Sequence, residues 1–311
     1  MIEAILHHYD DSSFSEKVRL MLGLKGLAWR SVEIPAYGAK PDYTPLTAGY
    51  RRTPALQFGA DVYCDTRLIG LELERRVPTP ALYPAASEAY SQALLEVLVS
   101  WAENQLFRPL AVAITGEHAA RFADGFHADR AALHGKPLPS LAQVAAAARH
   151  YRPQFELQLH WLEGLLGAGG SFVLGAQVSV ADFAIYAAPW FLETVGGHSA
   201  LLDTLPHTRA WMRRVAATGH GQRQAMSAAE ALVIAAASAP LPCTTRAHCA
   251  LDGVALGDEV LVAAFDQRAV ARGRLAALDH QRITLVHSPR GLGEIATHFP
   301  RLGYRIARAR A

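Results

Sequence analysis

Two serines stand side by side in the run Tyr9-Asp10-Asp11-Ser12-Ser13-Phe14, just ahead of apolar residues at helical spacing, Phe14, Val18, Met21 and Leu22. Ser13 and Glu16 form an S-x-x-E capping box, which predicts Ser13 as the N-cap and leaves the Ser12 hydroxyl free at the helix mouth. A hydroxyl donor there stabilises an anion, because the unpaired first-turn amides and the helix dipole act on the same spot. Boundaries slip by a residue, so Ser13 is a second candidate, with Ser12 as the cap. The bland reading makes both serines turn residues. Asp65-Thr66 marks another helix start, with a carboxylate, a hydroxyl and free amides together. There too a simple cap is the bland alternative.

What is missing narrows the chemistry. None of the three cysteines lies near position 12 or in the first helix, which argues against dithiol exchange, a reaction that needs a low-pKa protein thiolate. Three cysteines are also too few for a disulfide framework. Cys64 closes a predicted strand and reads as a buried small apolar residue. Cys243, His248 and Cys249 lack an evident fourth ligand at suitable spacing, so no metal site is expected. His7 and His8, adjacent on a strand, point to opposite faces and make a poor chelating pair.

The elements that position these groups follow from periodicity. Alternating Ile2, Ala4 and Leu6 predict a strand over 2–8. The first helix then runs to Gly23 and Gly26, and a strand over 29–34 completes a β-α-β unit with parallel strands. A loop over 35–52 carries Lys40, three tyrosines and three prolines. Strands at 55–58 and 61–63, joined by Gly59-Ala60, form a hairpin, and the Asp65-Thr66 helix runs to Arg76. Helical patterns follow at 87–115, 140–167, 179–194, 206–217 and 227–238, with Ser179 and Asp182 as a cap pair. Residues 122–139 read as a long connection. Beyond Pro242 short β runs return at 259–263, 269–275, 282–287, 294–298 and 304–307. The fold class is therefore a multidomain α+β protein: a small α/β domain (1–80), an all-α helical domain (86–239) and a small C-terminal β-rich domain (241–311). Val260, Val262, Leu275, Ile283, Leu285 and Ile306 are the candidate core of the last.

The chain has 311 residues, 51% hydrophobic and 19% charged, with a net charge of +2. Ten arginines against six acids give residues 241–311 a net +4, leaving −2 on the first 240. The balance gives no reason to expect nucleic acid, and the arginine-rich tail lacks the lysines and interleaved aromatics of such a surface. No apolar stretch is long enough to cross a bilayer, and Met1-Ile2-Glu3-Ala4 does not open a signal peptide. A cytoplasmic protein with no membrane partner is the expectation.

The first 240 residues resemble the glutathione transferase superfamily, in which a thioredoxin-like domain precedes a helical one. The resemblance rests on Ser12-Ser13-Phe14-Ser15-Glu16-Lys17-Val18-Arg19, Arg52-Thr53-Pro54-Ala55-Leu56, Asp65-Thr66 and Ser179-Val180-Ala181-Asp182-Phe183, in that order and spacing. It implies glutathione as co-substrate, with no metal. Ser12 would carry the thiolate-stabilising hydroxyl, with Ser13 standing where relatives often have proline, and Tyr9 enters because some branches use a tyrosine there. Thr53, before a cis Pro54, would pair with the cysteinyl backbone of glutathione. Asp65 and Thr66 would hold the γ-glutamyl end, in place of the usual Glu or Gln and Ser, and Lys40 the glycine carboxylate. The implied partners are a small-molecule electrophile lodged against residues such as Trp101, Phe107 and Trp190, and a second copy in a homodimer. The other function class is a non-catalytic ligand-binding or interaction protein of the same fold. None of these site residues falls in the tail.

Overall fold

The computed structural model describes residues 3–84, 89–122, 124–242, 253–268 and 270–309. Cys243, His248 and Cys249 lie outside them. Strand β1 (Ala4–His8), helix α1 (Ser13–Leu24) and strand β2 (Ala28–Glu33) form the expected parallel unit, followed by β3 (Ala55–Phe58), β4 (Asp61–Cys64) and α2 (Thr66–Arg76). The helical part comprises α3 (Ala89–Trp101), a π-helical stretch (Ala102–Phe107), α4 (Arg108–Glu117), α5 (Asp124–His134), α6 (Leu141–Gly167), α7 (Val180–Thr194), α8 (Ser199–Asp203) and α9 (Pro206–Ala216). Strand β5 (Gln222–Ala225) and α10 (Ala228–Ala236) lead to the tail strands β6 (Glu259–Ala264), β7 (Ala271–Leu278), β8 (Arg282–His287), β9 (Ile295–Pro300) and β10 (Tyr304–Arg308). Among the described residues, no helix is long and apolar enough to cross a membrane.

Helix α5 lies inside the stretch read as a connection. Gly125 and the polar residues around it weaken the local helical signal. Tertiary contacts supply what propensity lacks: Phe126 meets Tyr37 edge-on at 5.8 Å, and the Asp129 carboxylate accepts from the Gly38 amide at 3.0 Å.

All ten strands form one sheet, in the order β10-β6-β7-β8-β9-β4-β3-β1-β2-β5. The four thioredoxin-like strands would leave β4 and β2 as open edges, each a row of unpaired backbone groups. Strand β9 pairs in parallel with β4, and β5 with β2, so both edges are covered. Side chains alternate along β1. Ala4 and Leu6 face a core shared with α1, α2 and the helical domain, whereas Ile5 faces a second core. That second core joins Val62 and Cys64, the loop residues Tyr43, Leu46 and Tyr50, α10 and the tail.

The tail therefore does not close on a core of its own. Its Val260, Val262, Leu275, Ile283 and Leu285 are buried, with Ile306 at their margin, but they continue the apolar layer that begins under β4. Strand β10 is five strands from β4, which in a flat sheet would separate them by about 24 Å. Yet the Tyr304 hydroxyl on β10 lies 3.0 Å from the carboxylate of Asp65, the residue after β4. The sheet thus curls back on itself around the loop over 35–54.

In the helical domain, the Asp182 carboxylate is fully buried and accepts from the amides of Ser179 and Val173, the Ser179 hydroxyl and the Trp211 indole, all at 2.8–2.9 Å. The cap read from Ser179 and Asp182 thus also locks α7 to α9. Burial raises this carboxyl's pKa, and the four donors act against the rise.

Candidate active site

Three chain segments leave the same end of the sheet. Along the register His7 pairs with Ala55 and Ala55 with Cys64. The turn after β1 leads to Ser12, the approach to β3 holds Thr53-Pro54, and β4 runs into Asp65-Thr66. The Thr53–Pro54 peptide is cis, and so is Thr79–Pro80, which carried no sequence expectation.

Ser12, not Ser13, is the N-cap of α1. Its backbone is extended, and its Oγ accepts from the Ser15 amide at 3.1 Å. The cap moves because the preceding turn is closed one residue earlier than the S-x-x-E box suggests. The Ser12 amide donates to the Tyr9 carbonyl at 3.2 Å, and Arg19 reaches back to the Asp10 carbonyl at 3.0 Å. Glu16 is thereby released from capping. Its buried carboxylate accepts from Arg19 at 2.8 Å and from His220 at 3.0 Å. Burial would raise the Glu16 pKa, but His220 and Arg19 together hold it below the usual carboxylate range. His8, lowered to about 3 by burial and then by Arg19 and Arg223, stays neutral. Its Nδ1 accepts from Arg19 at 3.2 Å, so Nε2 carries the hydrogen that donates to Ser31 Oγ at 2.8 Å.

Capping does not exhaust Ser12. A hydroxyl has one proton and two lone pairs, and the Ser15 amide uses only a lone pair. Ser13 is the first helical residue, and its hydroxyl and that of Tyr9 make no hydrogen bond to any described residue. The helix is held from behind at Gly23, where a Cβ would lie 1.9 Å from the Gly219 carbonyl oxygen.

At the head of α2, Asp65 adopts φ +74°, a left-handed conformation that costs a non-glycine residue roughly 1–3 kcal/mol and clusters at functional sites. Its Oδ1 accepts from the Arg67 amide at 3.0 Å, and its Oδ2 from the Tyr304 hydroxyl. Burial and Glu103 raise its pKa, against the Arg67 amide, Lys17 and Tyr304. Thr66 Oγ1 accepts from the buried Lys17 ammonium at 3.1 Å, and Lys17 also donates to Glu103 at 2.7 Å. Glu103 sits on the π-helical stretch, a geometry frequent at functional sites. Lys17 lies within the run that carried the resemblance but had no role assigned, while Glu103 and Tyr304 gave no signal in the sequence.

Lys40 is not a solvated loop ammonium. It is buried and donates to Thr53 Oγ1 at 3.0 Å and to the Arg51 carbonyl at 3.1 Å. Burial, then Arg130 and Arg51, lower its pKa to about 8, with Asp129 opposing. Arg51 pairs with Asp129, and Arg52 pairs with Asp266 of the tail at 2.5 Å.

Beside the α1 N-terminus stands an aromatic wall. Phe14 meets Phe107 edge-on at 5.0 Å, and Phe107 meets Phe191 at 5.5 Å. The Arg19 guanidinium lies 5.9 Å from the Trp190 ring. Trp101 instead donates to Gln158 at 2.9 Å as part of the helix packing. Phe191 belongs to the wall but was not singled out by spacing, since an apolar residue in an apolar helix carries no distinguishing mark.

Residues 6–81 match the glutathione S-transferase N-terminal domain family, and residues 143–214 the glutathione S-transferase C-terminal domain family. A GST-like protein from Pseudomonas syringae is 34% identical, covering 99% of this chain and 100% of its own, with a TM-score of 0.80. β-Etherase LigF from Sphingobium sp. strain SYK-6 is 18% identical, with a TM-score of 0.53 over 70% of this chain and 96% of its own. Glutathione transferase F2 from Populus trichocarpa is 14% identical, with a TM-score of 0.53 over 68% of this chain and 93% of its own. These last two are alike in fold alone. No curated protein gives a significant match. The chain belongs to the glutathione S-transferase family, with thioredoxin-like and helical domains and additional C-terminal strands that neither domain family covers.

Proposed function

We propose that this chain is a glutathione transferase in which the Ser12 hydroxyl stabilises the glutathione thiolate for attack on a small electrophile. The observation that carries the reading is the Ser12 cap, which is tied by one lone pair to Ser15 and keeps its proton at a helix N-terminus. A free thiol ionises near pH ~8.5, so lowering that pKa by about 2 units, or roughly 2.7 kcal/mol, makes it mostly thiolate at neutral pH. The sulfur then forms a bond to an electrophilic carbon; either the bond to a leaving group breaks, or a π or C–O bond breaks and the neighbouring atom that receives its electron pair takes up a proton. Phe14, Phe107, Phe191 and Trp190 supply the apolar surface against which that electrophile lies. Asp65 and Thr66 would hold the γ-glutamyl ammonium and carboxylate, Thr53 the cysteinyl backbone, and Lys40 the glycine carboxylate. Such chemistry suits the cytoplasm, where thiols are kept reduced. A symmetric homodimer fits the exposed strip Leu157, Trp161 and Leu165 on α6.

One observation favours the non-catalytic alternative. Lys40 and Asp65 already have protein partners, Thr53 and Tyr304, which a ligand would have to share or displace. Retention on immobilised glutathione, followed by thiol consumption across a panel of electrophiles, separates the two. Retention with turnover supports the enzyme, retention without turnover a binding protein, and neither removes glutathione from the account.

A further inference from the structure

We propose that the C-terminal strands build one wall of the thiol site, with Tyr304 as the positioning residue that fixes the Asp65 carboxylate for the amine end of the bound thiol compound. The inference rests on the functional reading above and adds a residue some 240 positions away from Asp65 in sequence, outside both matched domain families.

With Asp65 ionised, the direction of each hydrogen bond in this corner follows. A tyrosine hydroxyl has one proton, and an ionised carboxylate can only accept. Tyr304 therefore gives its proton to Asp65 at 3.0 Å, and its oxygen receives that of Tyr50 at 2.6 Å. Tyr50, Tyr304 and Asp65 form an ordered chain, and Tyr304 is 3% exposed, packed on the rings of Phe299 and Tyr50. Asp65 holds a left-handed conformation that its surroundings must impose, and the Tyr304 hydroxyl and the Arg67 amide grip its two carboxylate oxygens separately.

The tail also holds the other end of the site. Asp266 pairs with Arg52, next to Thr53, while the Arg272 amide donates to the Ala48 carbonyl and Thr297 Oγ1 to the Leu46 carbonyl. The loop that carries Lys40 and Thr53 is thus pinned by these three contacts with the tail as well as by the Tyr50–Tyr304 bond. A tail that merely stabilised the fold would need no polar contact with Asp65, since the shared apolar core already joins it to β4.

The test uses the full-length chain with Tyr304→Phe, which removes the hydroxyl and keeps the ring packing. Carbon-13 titration of the Asp65 carboxyl needs no ligand, and its pKa should rise by about one unit when the donor is lost. Calorimetry should show the glutathione dissociation constant raised about tenfold, with turnover at saturation within about twofold of wild type. Val260→Ala, on β6 at the far end of its ladder from the Tyr304 pairing, should lower the melting temperature without changing either quantity. A folded Tyr304→Phe protein with wild-type affinity and an unshifted Asp65 overturns the assignment. Should the wild-type chain bind no glutathione, the functional reading fails. The Asp65 titration then still decides whether Tyr304 positions this carboxylate: a shift supports it, and no shift overturns it.

Discussion

The Ser12 hydroxyl oxygen accepts the Ser15 amide proton at 3.1 Å, so the cap of α1 and the proposed donor to the thiolate are the same atom group. The two roles use different parts of the hydroxyl and have separate readouts, turnover for the donor and folding stability for the cap.

Ser12→Ala removes both. Turnover with several electrophiles should fall roughly ten- to a hundredfold, as for loss of about 1.5–3 kcal/mol in a hydrogen bond to an anion. Chemical denaturation should also show the loss of about 1 kcal/mol of helix-cap stability. Ser12→Thr keeps the cap and the donor and should retain most of each. Wild-type rates in Ser12→Ala would transfer the role to Ser13 or Tyr9, which Ser13→Ala and Tyr9→Phe then distinguish.

Asp65→Asn should weaken glutathione binding more than it slows the saturated reaction. The γ-glutamyl ammonium keeps its charge while sulfur attacks, so the contact is equal in ground and transition states. The expected signature is a dissociation constant raised about tenfold or more with kcat nearly unchanged. A mutant with a lowered kcat and normal affinity would place Asp65 at the reacting centre instead.

If Lys40 holds the glycine carboxylate as proposed, it should give glutathione binding a pH dependence. With its pKa near 8, the ammonium is largely present at pH 7 and is lost as pH rises through that value. S-methylglutathione, whose sulfur cannot ionise, should therefore bind several-fold less tightly at pH 8.5 than at pH 7. Lys40→Arg stays charged over the range and should show a flat profile. A pH-independent wild type would detach Lys40 from the glycine carboxylate.

His7 and His8 contribute to acid stability, as do His287 and His298, whose pKa values burial also lowers. His7 and His8 are buried, with pKa values lowered by burial to about 4 and about 3, below the ordinary 6.5. Unfolding lets them take up protons, so their contribution is complete above pH 6.5 and declines as pH falls toward those lowered values. Each histidine adds up to about 1.4 kcal/mol per pH unit to the slope. Urea unfolding at pH 7.5 and at pH 5 should show the loss, and His7→Gln should reduce it. Equal stability at the two pH values would mean that the histidines titrate normally in the folded chain.

The strands were legible because their side chains alternate, and the starts of α1 and α2 because serine, aspartate and threonine mark helix mouths. Local pattern could place Ser12 and Ser13 but not choose the cap between them, since that choice is made by Arg19 closing the turn from within the helix. Thr53-Pro54 and Asp65-Thr66 were readable as local motifs. Tyr304, Lys17 and Glu103 carry no local mark of the site, because they reach it only through the curl of the sheet and the docking of two domains. Strand β5 has no apolar alternation to read. All four of its residues are exposed, and it exists because the β2 edge offers it hydrogen bonds.

The central claim is that this site binds glutathione and ionises its thiol. The most direct measurement is a pH titration of the ultraviolet thiolate absorbance of glutathione bound to the wild-type chain. The bound thiol should show a pKa about 2 units below the free value of roughly 8.5, returning most of the way toward it in Ser12→Ala. A bound thiol that titrates as in free solution, or no bound glutathione at all, would contradict it.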